Sequence, residues 1–198
     1  MPRVRAEDYD SKAQAILDSA AALFAKVGYP NAKMVDIGKA CGASKSMLYH
    51  YFATKDELLF AMLREHLERV IAGIEEVGAM AGSNRHRFAA LVQVYAQKSA
   101  QARRRHVTAM NDLKFLPKSL QAPLLALENQ VIERVAAMLR GLNPGLPDAV
   151  YKPYTMLLIG MLNWTDTWYR PGGAMKPQEL CERISRLFLR GFLAETAD

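Results

Sequence analysis

The sequence predicts an all-α protein, and three observations lead there. Apolar residues recur at helical spacing along almost the whole chain. No period-2 run bounded by turn residues reads as a strand. The breaks between periodic segments are short clusters of Gly, Pro and Asn, of the length that joins packed antiparallel helices.

Each element has its own local reason. Ile16, Ala20, Leu23, Phe24 and Val27 fall on one helix face, and Gly28 with Tyr29-Pro30-Asn31 ends that helix. A short segment, 34–41, stops at Gly42. Ser44 then caps a second short helix that runs through Tyr49 to residue 52. Thr54 caps the next helix, with Asp56 and Glu57 in its first turn, where the positive helix end favours acids. That helix runs from Lys55 to the neighbourhood of Met80, before Gly82-Ser83-Asn84. Further helices are predicted over 87–102, 103–115, 119–142, 148–169 and 177–195. The breaks are Pro117, Asn143-Pro144-Gly145 and Arg170-Pro171-Gly172-Gly173.

Composition narrows the class. Lys plus Arg number 26 against 20 Asp plus Glu, a formal charge of +6, which points to an anionic partner such as nucleic acid, a phosphorylated ligand or a membrane surface. Half of the 198 residues are hydrophobic, enough for a real core and against disorder as the main state. The first ten residues carry Arg3, Arg5, Glu7, Asp8 and Asp10 and lack the apolar stretch of a signal peptide. No apolar run reaches the roughly 18 residues of a membrane span. Cys41 and Cys181 lie far apart, against a disulfide framework or a structural zinc. A cytoplasmic protein with reduced thiols and no membrane partner is expected. Neither a nucleophile elbow, a phosphate loop nor a zinc-protease motif is present. His50, His66, His86 and His106 are scattered, and Glu75-Glu76 reads as a solvated face. No enzyme activity, metal or cofactor is therefore expected.

Residues 35–52 read Val-Asp-Ile-Gly-Lys-Ala-Cys-Gly-Ala-Ser-Lys-Ser-Met-Leu-Tyr-His-Tyr-Phe. Two short helices joined by a tight Gly turn, after a longer first helix, are the shape of a helix-turn-helix. Ile37, Ala40 and Leu48 are expected as a small core under the turn, with Ala40 where two helices approach closely. Gly42 suits a left-handed backbone. The second helix, capped by Ser44, would point its amino end into a DNA major groove.

Here the sequence resembles a known family. Residues 16–63 are similar to the DNA-binding domain of the TetR family of bacterial transcription repressors. The landmarks are Ala20, Phe24, Gly28, Tyr29, Asp36-Ile37, Gly42, Ser44-Lys45, Leu48-Tyr49, Phe52, Lys55 and Leu58, with the string from Gly42 to Lys55 the most specific. The resemblance implies a TetR-like architecture, with a DNA-binding head over 1–54 and an effector-binding and dimerisation domain over 55–198. It implies that Lys45 and Ser46 face base edges. Tyr49, His50, Tyr51 and Lys55 would hold phosphates and fix register. The chain departs from the family at Lys33, where a Ser or Thr cap is usual, although Lys33 can supply a phosphate contact. Gly38 stands where Ala is frequent, a change that weakens a helix by about 1 kcal/mol. Ser46 and Met47 replace a frequent Gly and Thr, which bears on operator sequence rather than fold.

The basic excess lies outside this head. Residues 1–60 hold 8 Lys plus Arg and 7 Asp plus Glu, a net of +1, whereas 61–198 hold 18 and 13, a net of +5. Its densest point is Arg103-Arg104-Arg105-His106. That run reads either as a solvated helix end or as a site for ligand phosphates, which planar guanidinium groups hold well. Farther on, Leu157, Met161, Trp164 and Trp168 share one helix face beside Asn163, either as ordinary core or as a cavity lining.

Residues 106–116 and 161–173 resemble the TetR-type repressors of phenylacetate degradation, whose wider relatives sense acyl-CoA thioesters. The effector this implies is phenylacetyl-CoA or another acyl-CoA. Its expected contacts are Tyr95, Arg103, Arg104, His106, Met110 and Asn111, together with Lys114, Phe115, Met161, Asn163, Trp164 and Trp168. Family members dimerise through their last two helices. The homodimer interface implied here includes Leu157, Gly160, Ile184, Leu187 and Phe188, although the same stripe serves equally as intramolecular core. The expected protein is thus a ligand-responsive repressor that binds a double-stranded DNA operator of a phenylacetate-type operon. The alternatives are a TetR-type regulator of fatty acyl-CoA metabolism or efflux, and a helical acyl-CoA-binding protein with no DNA role.

Overall fold

In the computed structural model, the structure describes residues 2–96, 100–170 and 172–196, and for residues 2–8, 96, 100–102 and 110 only the backbone. The described residues form α1 (Pro2–Val27), α2 (Met34–Cys41), α3 (Lys45–Tyr51), α4 (Lys55–Ala79), α5 (Asn84–Ala96), α6 (Ala100–Asp112), α7 (Lys118–Leu142), α8 (Asp148–Trp168) and α9 (Pro177–Phe192), with a single 3-10 turn at Leu113–Phe115. Among them there is no strand, and the all-α class holds. None of these helices is long and apolar enough to cross a membrane.

Most predicted boundaries lie within a few residues of the observed ones. The largest difference is around α6, where the predicted break between 102 and 103 falls inside a continuous helix. The spacing of apolar residues alone does not mark that helix, because its sequence is strongly polar and its burial depends on partners elsewhere in the chain. α5 also starts earlier than predicted, because Ser83 Oγ accepts the His86 N–H at 3.2 Å and caps it.

The chain forms two compact units. The first comprises 1–67 and 99–125, the second 68–98 and 126–198. In the first, α1 packs on α2 and α6, and α2 on α3. Ile16, Ala20, Phe24, Ile37, Leu48, Leu58 and Leu63 are buried there. The expected close approach in the helix-turn-helix is displaced by two residues. Ala40 is exposed, and Gly38 is buried in its stead. A Cβ at Gly38 would stand 3.1 Å from the Ala43 carbonyl oxygen and 3.6 Å from Leu48 Cδ2. The turn folds back here, with the Ala43 N–H donating to the Gly38 carbonyl at 2.9 Å. Gly38, read from sequence as a helix-weakening departure, therefore has a packing reason. Gly42 adopts the left-handed conformation as expected, φ 69°.

In the second unit, α5, α8 and α9 pack together around a core that includes Phe88, Leu91, Val92, Tyr151, Leu158, Leu162, Phe188 and Phe192. Phe88 stacks on Phe188 with ring centroids 5.6 Å apart. Two residues expected at the dimer interface are corrected by this packing. Ile184 and Phe188 lie in the core of their own chain, because they share the α9 face with Leu180, Cys181 and Phe192. Leu157, Gly160 and Leu187 are exposed.

Candidate functional site

The short helix α3 carries the expected DNA-reading residues on an open face. Ser44 is extended, φ −64° and ψ 157°, and its Oγ accepts the Met47 N–H at 3.1 Å. This fixes the start of α3, so Lys45 and Ser46 occupy its first two positions, both exposed. Tyr49 and His50 are exposed and Tyr51 is half-buried, whereas Leu48 points inward and anchors the helix. Lys33 precedes α2 in an extended conformation, makes no cap hydrogen bond and is exposed.

Lys55 behaves differently from the expectation of a simple phosphate contact. Its Nζ donates to the Tyr29 carbonyl at 2.8 Å and the Ala32 carbonyl at 3.0 Å, and lies 4.2 Å from the Tyr29 ring centroid. Two of its three N–H donors brace the turn between α1 and α2, which leaves one for a phosphate. Carbonyl oxygens 23 and 26 residues away in sequence give no local sign of this.

Tyr9 escaped the sequence reading altogether. Its ring stacks on Tyr51 with centroids 4.4 Å apart and meets His50 edge-on at 6.4 Å. It thereby holds two expected phosphate-binding side chains from a neighbouring helix. A stacked aromatic pair of this kind contributes about 1 kcal/mol beyond area burial, so Tyr9→Ala is expected to weaken operator binding near fivefold. Tyr9→Phe is expected to bind like the wild type. Gel-shift titrations across salt concentrations measure both, and equal affinities for Tyr9→Ala and wild type would show that the stack does not orient the phosphate contacts.

Behind the reading helix, α6 is attached to the head at two places. Near its carboxyl end, Asp112 Oδ2 accepts the Tyr29 N–H at 3.2 Å, and Phe115 stacks on the Tyr29 ring at 6.2 Å. The Tyr29 hydroxyl donates to Asp56. Burial pushes the Asp112 carboxyl up, while the Tyr29 N–H, Lys114 and Lys55 pull it back. Burial, and then the bond to Asp56, also raise the Tyr29 phenol well above its ordinary range. In the middle of α6, Arg105 is 1 % exposed and pairs with Asp18 of α1 and with Glu65 of α4, the latter at 2.6 Å. At the next residue, His106 Nδ1 lies 3.2 Å from His66 Nε2, both rings buried. Glu65 and His66 are adjacent on α4, and each meets a residue of α6.

The structure divides the expected effector contacts between the two units. Arg103, Arg104, His106, Asn111, Lys114 and Phe115 belong to the first. Of these, Arg104 is exposed, His106 is buried against His66, and Asn111 donates to the Val107 carbonyl of its own helix at 2.9 Å. Lys114 lies 5.3 Å from the Phe115 ring centroid. The Met110 side chain lies outside the described residues. Tyr95, Met161, Asn163, Trp164 and Trp168 belong to the second unit. Tyr95 is buried, and burial raises its phenol well above the ordinary range. Met161 is half-buried, and Asn163 Oδ1 is buried without a hydrogen-bond partner. The two tryptophans correct the cavity expectation. Trp164 is 67 % exposed and Trp168 52 %, on the same open face of α8 as Leu157, 61 % exposed.

A capped, exposed reading helix braced by a longer helix, followed by a helical domain, defines a helix-turn-helix DNA-binding regulator. Residues 16–62 match the family "Bacterial regulatory proteins, tetR family", and residues 81–192 match "Tetracyclin repressor-like, C-terminal domain". The chain belongs to the TetR family. It is similar to a TetR-family transcriptional regulator from Bordetella parapertussis, 34 % identical, with a TM-score of 0.84 over 94 % of this chain and 98 % of that one. It is 24 % identical to the transcriptional repressor KstR2 of Mycobacterium tuberculosis over 98 % of this chain and 99 % of that protein. Its fold is also that of AibR, solved in complex with isovaleryl coenzyme A and operator DNA, with a TM-score of 0.77, 20 % identity, and 89 % of this chain and 97 % of that one covered. The chain spans 38 % of the length of the repressor Rv1474c from M. tuberculosis, at 38 % identity over 72 residues.

Proposed function

We propose that the protein is a homodimeric transcriptional repressor that leaves its operator when it binds a CoA thioester. The observation that carries the DNA-binding part is the open face of α3, with Lys45, Ser46, Tyr49 and His50 exposed behind a formed Ser44 cap. Homodimerisation is supported by the apolar face of α8, where Leu157, Trp164 and Trp168 stand exposed. Apolar surface of this kind on a folded chain marks an interaction site. The effector reading rests on the +5 charge of residues 61–198 and on the buried Tyr95 and Asn163. AibR supplies an example of this fold with a CoA thioester and operator DNA. Phenylacetyl-CoA is the specific effector proposed. The full-length likeness to KstR2, a ketosteroid transcriptional regulator, favours as second reading a CoA ester of a bulkier lipid acid.

Release requires the effector to bind the DNA-incompetent state more tightly than the competent one. In this reading α6 is the element that carries the difference. It is attached to α1 and α4 through Arg105 and to the α1–α2 turn through Asp112, so a shift of α6 acts on the head at both points.

The test begins with selection of bound fragments from genomic DNA. Lys45→Ala is expected to relax the preference at one base pair per half-site and to cost about 1 kcal/mol in binding to the preferred sequence. Phenylacetyl-CoA, isovaleryl-CoA, a long-chain acyl-CoA and free phenylacetate are then added to the complex. Release by one of the CoA esters, and not by free phenylacetate, is expected. A complex indifferent to every CoA ester would leave the effector reading without support, and failure to select any sequence would remove the repressor role.

A further inference from the structure

Three arginines meet in the second unit around an apolar cleft. The cleft, of about 520 Å³, is lined by Arg85 near the start of α5 and by Arg186, Leu189, Arg190, Leu193 and Ala194 at and beyond the end of α9. No carboxylate lines it. Among the described residues, Arg85, Arg186 and Arg190 make no ion pair or side-chain hydrogen bond. Other arginines of the same unit are paired. Arg134 has Glu75, Arg140 has Asp148 and Arg183 has Glu179.

Ordinary helix electrostatics do not account for this cluster. Arg190 in the last turn of α9 suits the negative end of that helix. Arg186 sits one turn before it, and like charges four apart on a helix repel. Arg85 stands in the first turn of α5, beside a positive helix end, with no acid in that turn to offset it. The fold therefore gathers three like charges, one of them at the unfavourable end of a helix, around a floor of leucine and alanine. None of the residues that line the cleft belongs to the exposed apolar face of α8.

We propose that this cleft holds the phosphate-bearing end of the CoA thioester, a deepening that rests on the effector reading above. Planar guanidinium groups take phosphate oxygens in pairs, and CoA presents a pyrophosphate and a 3′-phosphate beside a flat adenine. Leu189, Leu193 and Ala194 offer the apolar surface for the ring. The volume is within the roughly 300–1,000 Å³ range of small-molecule sites. This assignment places the phosphates apart from the basic run at 103–106, whose Arg105 and His106 are buried among partners of the first unit.

The test is calorimetric titration of the full-length protein with phenylacetyl-CoA, a long-chain acyl-CoA, CoA and the corresponding dephospho-CoA esters. The variants are Arg186→Gln with Arg190→Gln, Arg85→Gln, and Arg186→Lys with Arg190→Lys, each checked for an unchanged melting transition. The double Gln variant is expected to raise the Kd for the CoA ester at least tenfold, with part of the loss recovered by the double Lys variant. Arg85→Gln and removal of the 3′-phosphate are expected to weaken binding severalfold. Binding of a CoA ester to wild type and to both Gln variants with one Kd would overturn the cleft assignment and leave the effector reading standing. Absence of binding by every CoA species to wild type would overturn both.

Discussion

Arg105→Ala is expected to destabilise the protein by about 3 kcal/mol, because it removes a buried cation that two carboxylates share. Breaking a buried pair by removing one partner typically costs about 3–5 kcal/mol. The lower end applies here, since the side chains of Asp18 and Glu65 retain 33 % and 25 % exposure and water offsets part of the loss. For a chain of this size the expected fall in melting temperature is about 6–12 °C at fixed protein concentration. Urea denaturation of wild type and variant measures it directly. Replacing Asp18 and Glu65 by Asn and Gln in an Arg105→Met background is expected to restore part of the stability, since no carboxylate then faces the missing guanidinium. A change below half a kcal/mol on Arg105→Ala would mean that the clasp is energetically idle. The same substitution bears on function. It removes one of the two attachments of α6 to the head, so operator affinity and effector response are expected to change together.

Leu157→Glu combined with Trp164→Glu is expected to convert the proposed homodimer to a monomer and to weaken operator binding by at least 100-fold. Both side chains are largely exposed in the single chain, 61 % and 67 %, so the substitutions leave the chain's own core intact. A dimer binds a two-part operator with both heads, and the second head engages at high effective concentration. Losing that linkage forfeits a factor on the order of 100 to 10,000 without altering any contact to DNA. Analytical ultracentrifugation reads the oligomeric state, and fluorescence anisotropy on operator DNA reads the affinity. A variant that remains dimeric and binds like wild type would place the interface on another face. Ile184→Ala and Phe188→Ala, which the sequence grouped with the interface, act on stability because both residues are core.

The two predictions separate features that were legible in the sequence from those that were not. The helix-turn-helix was legible because its determinants are local. Gly42, Ser44 and the inward Leu48 lie within seven residues, and the structure places the turn, the cap and the anchor as read. Ala40 was misplaced because the close approach depends on how the turn folds back over Gly38, which only the Ala43 contact reveals. The Arg103–His106 run was legible as charge but not as environment. Charge in a sequence does not tell whether a guanidinium faces water, a phosphate or a carboxylate on another helix.

The apolar stripe on α8 shows the same boundary. Its period identifies a helix with two apolar sides, Leu158 and Leu162 on one and Leu157, Trp164 and Trp168 on the other. Both sides read alike in sequence, and packing alone assigned the first to the core and left the second exposed. Tyr9 was invisible because its partner, Tyr51, lies on another helix.

By itself, the sequence determined the helical class, the order of the helices and the DNA-reading motif. These follow from spacing, caps and turns, whose interactions span only a few residues. Tertiary structure decided that Arg105 is a buried clasp, that Lys55 braces a turn and that Arg85 joins Arg186 and Arg190. The bond from Arg105 to Asp18 spans 87 residues and the one from Tyr29 to Asp112 spans 83. The energy of such contacts depends on which side chains the fold brings together and on how much water it removes from them, and neither quantity is carried by a local pattern.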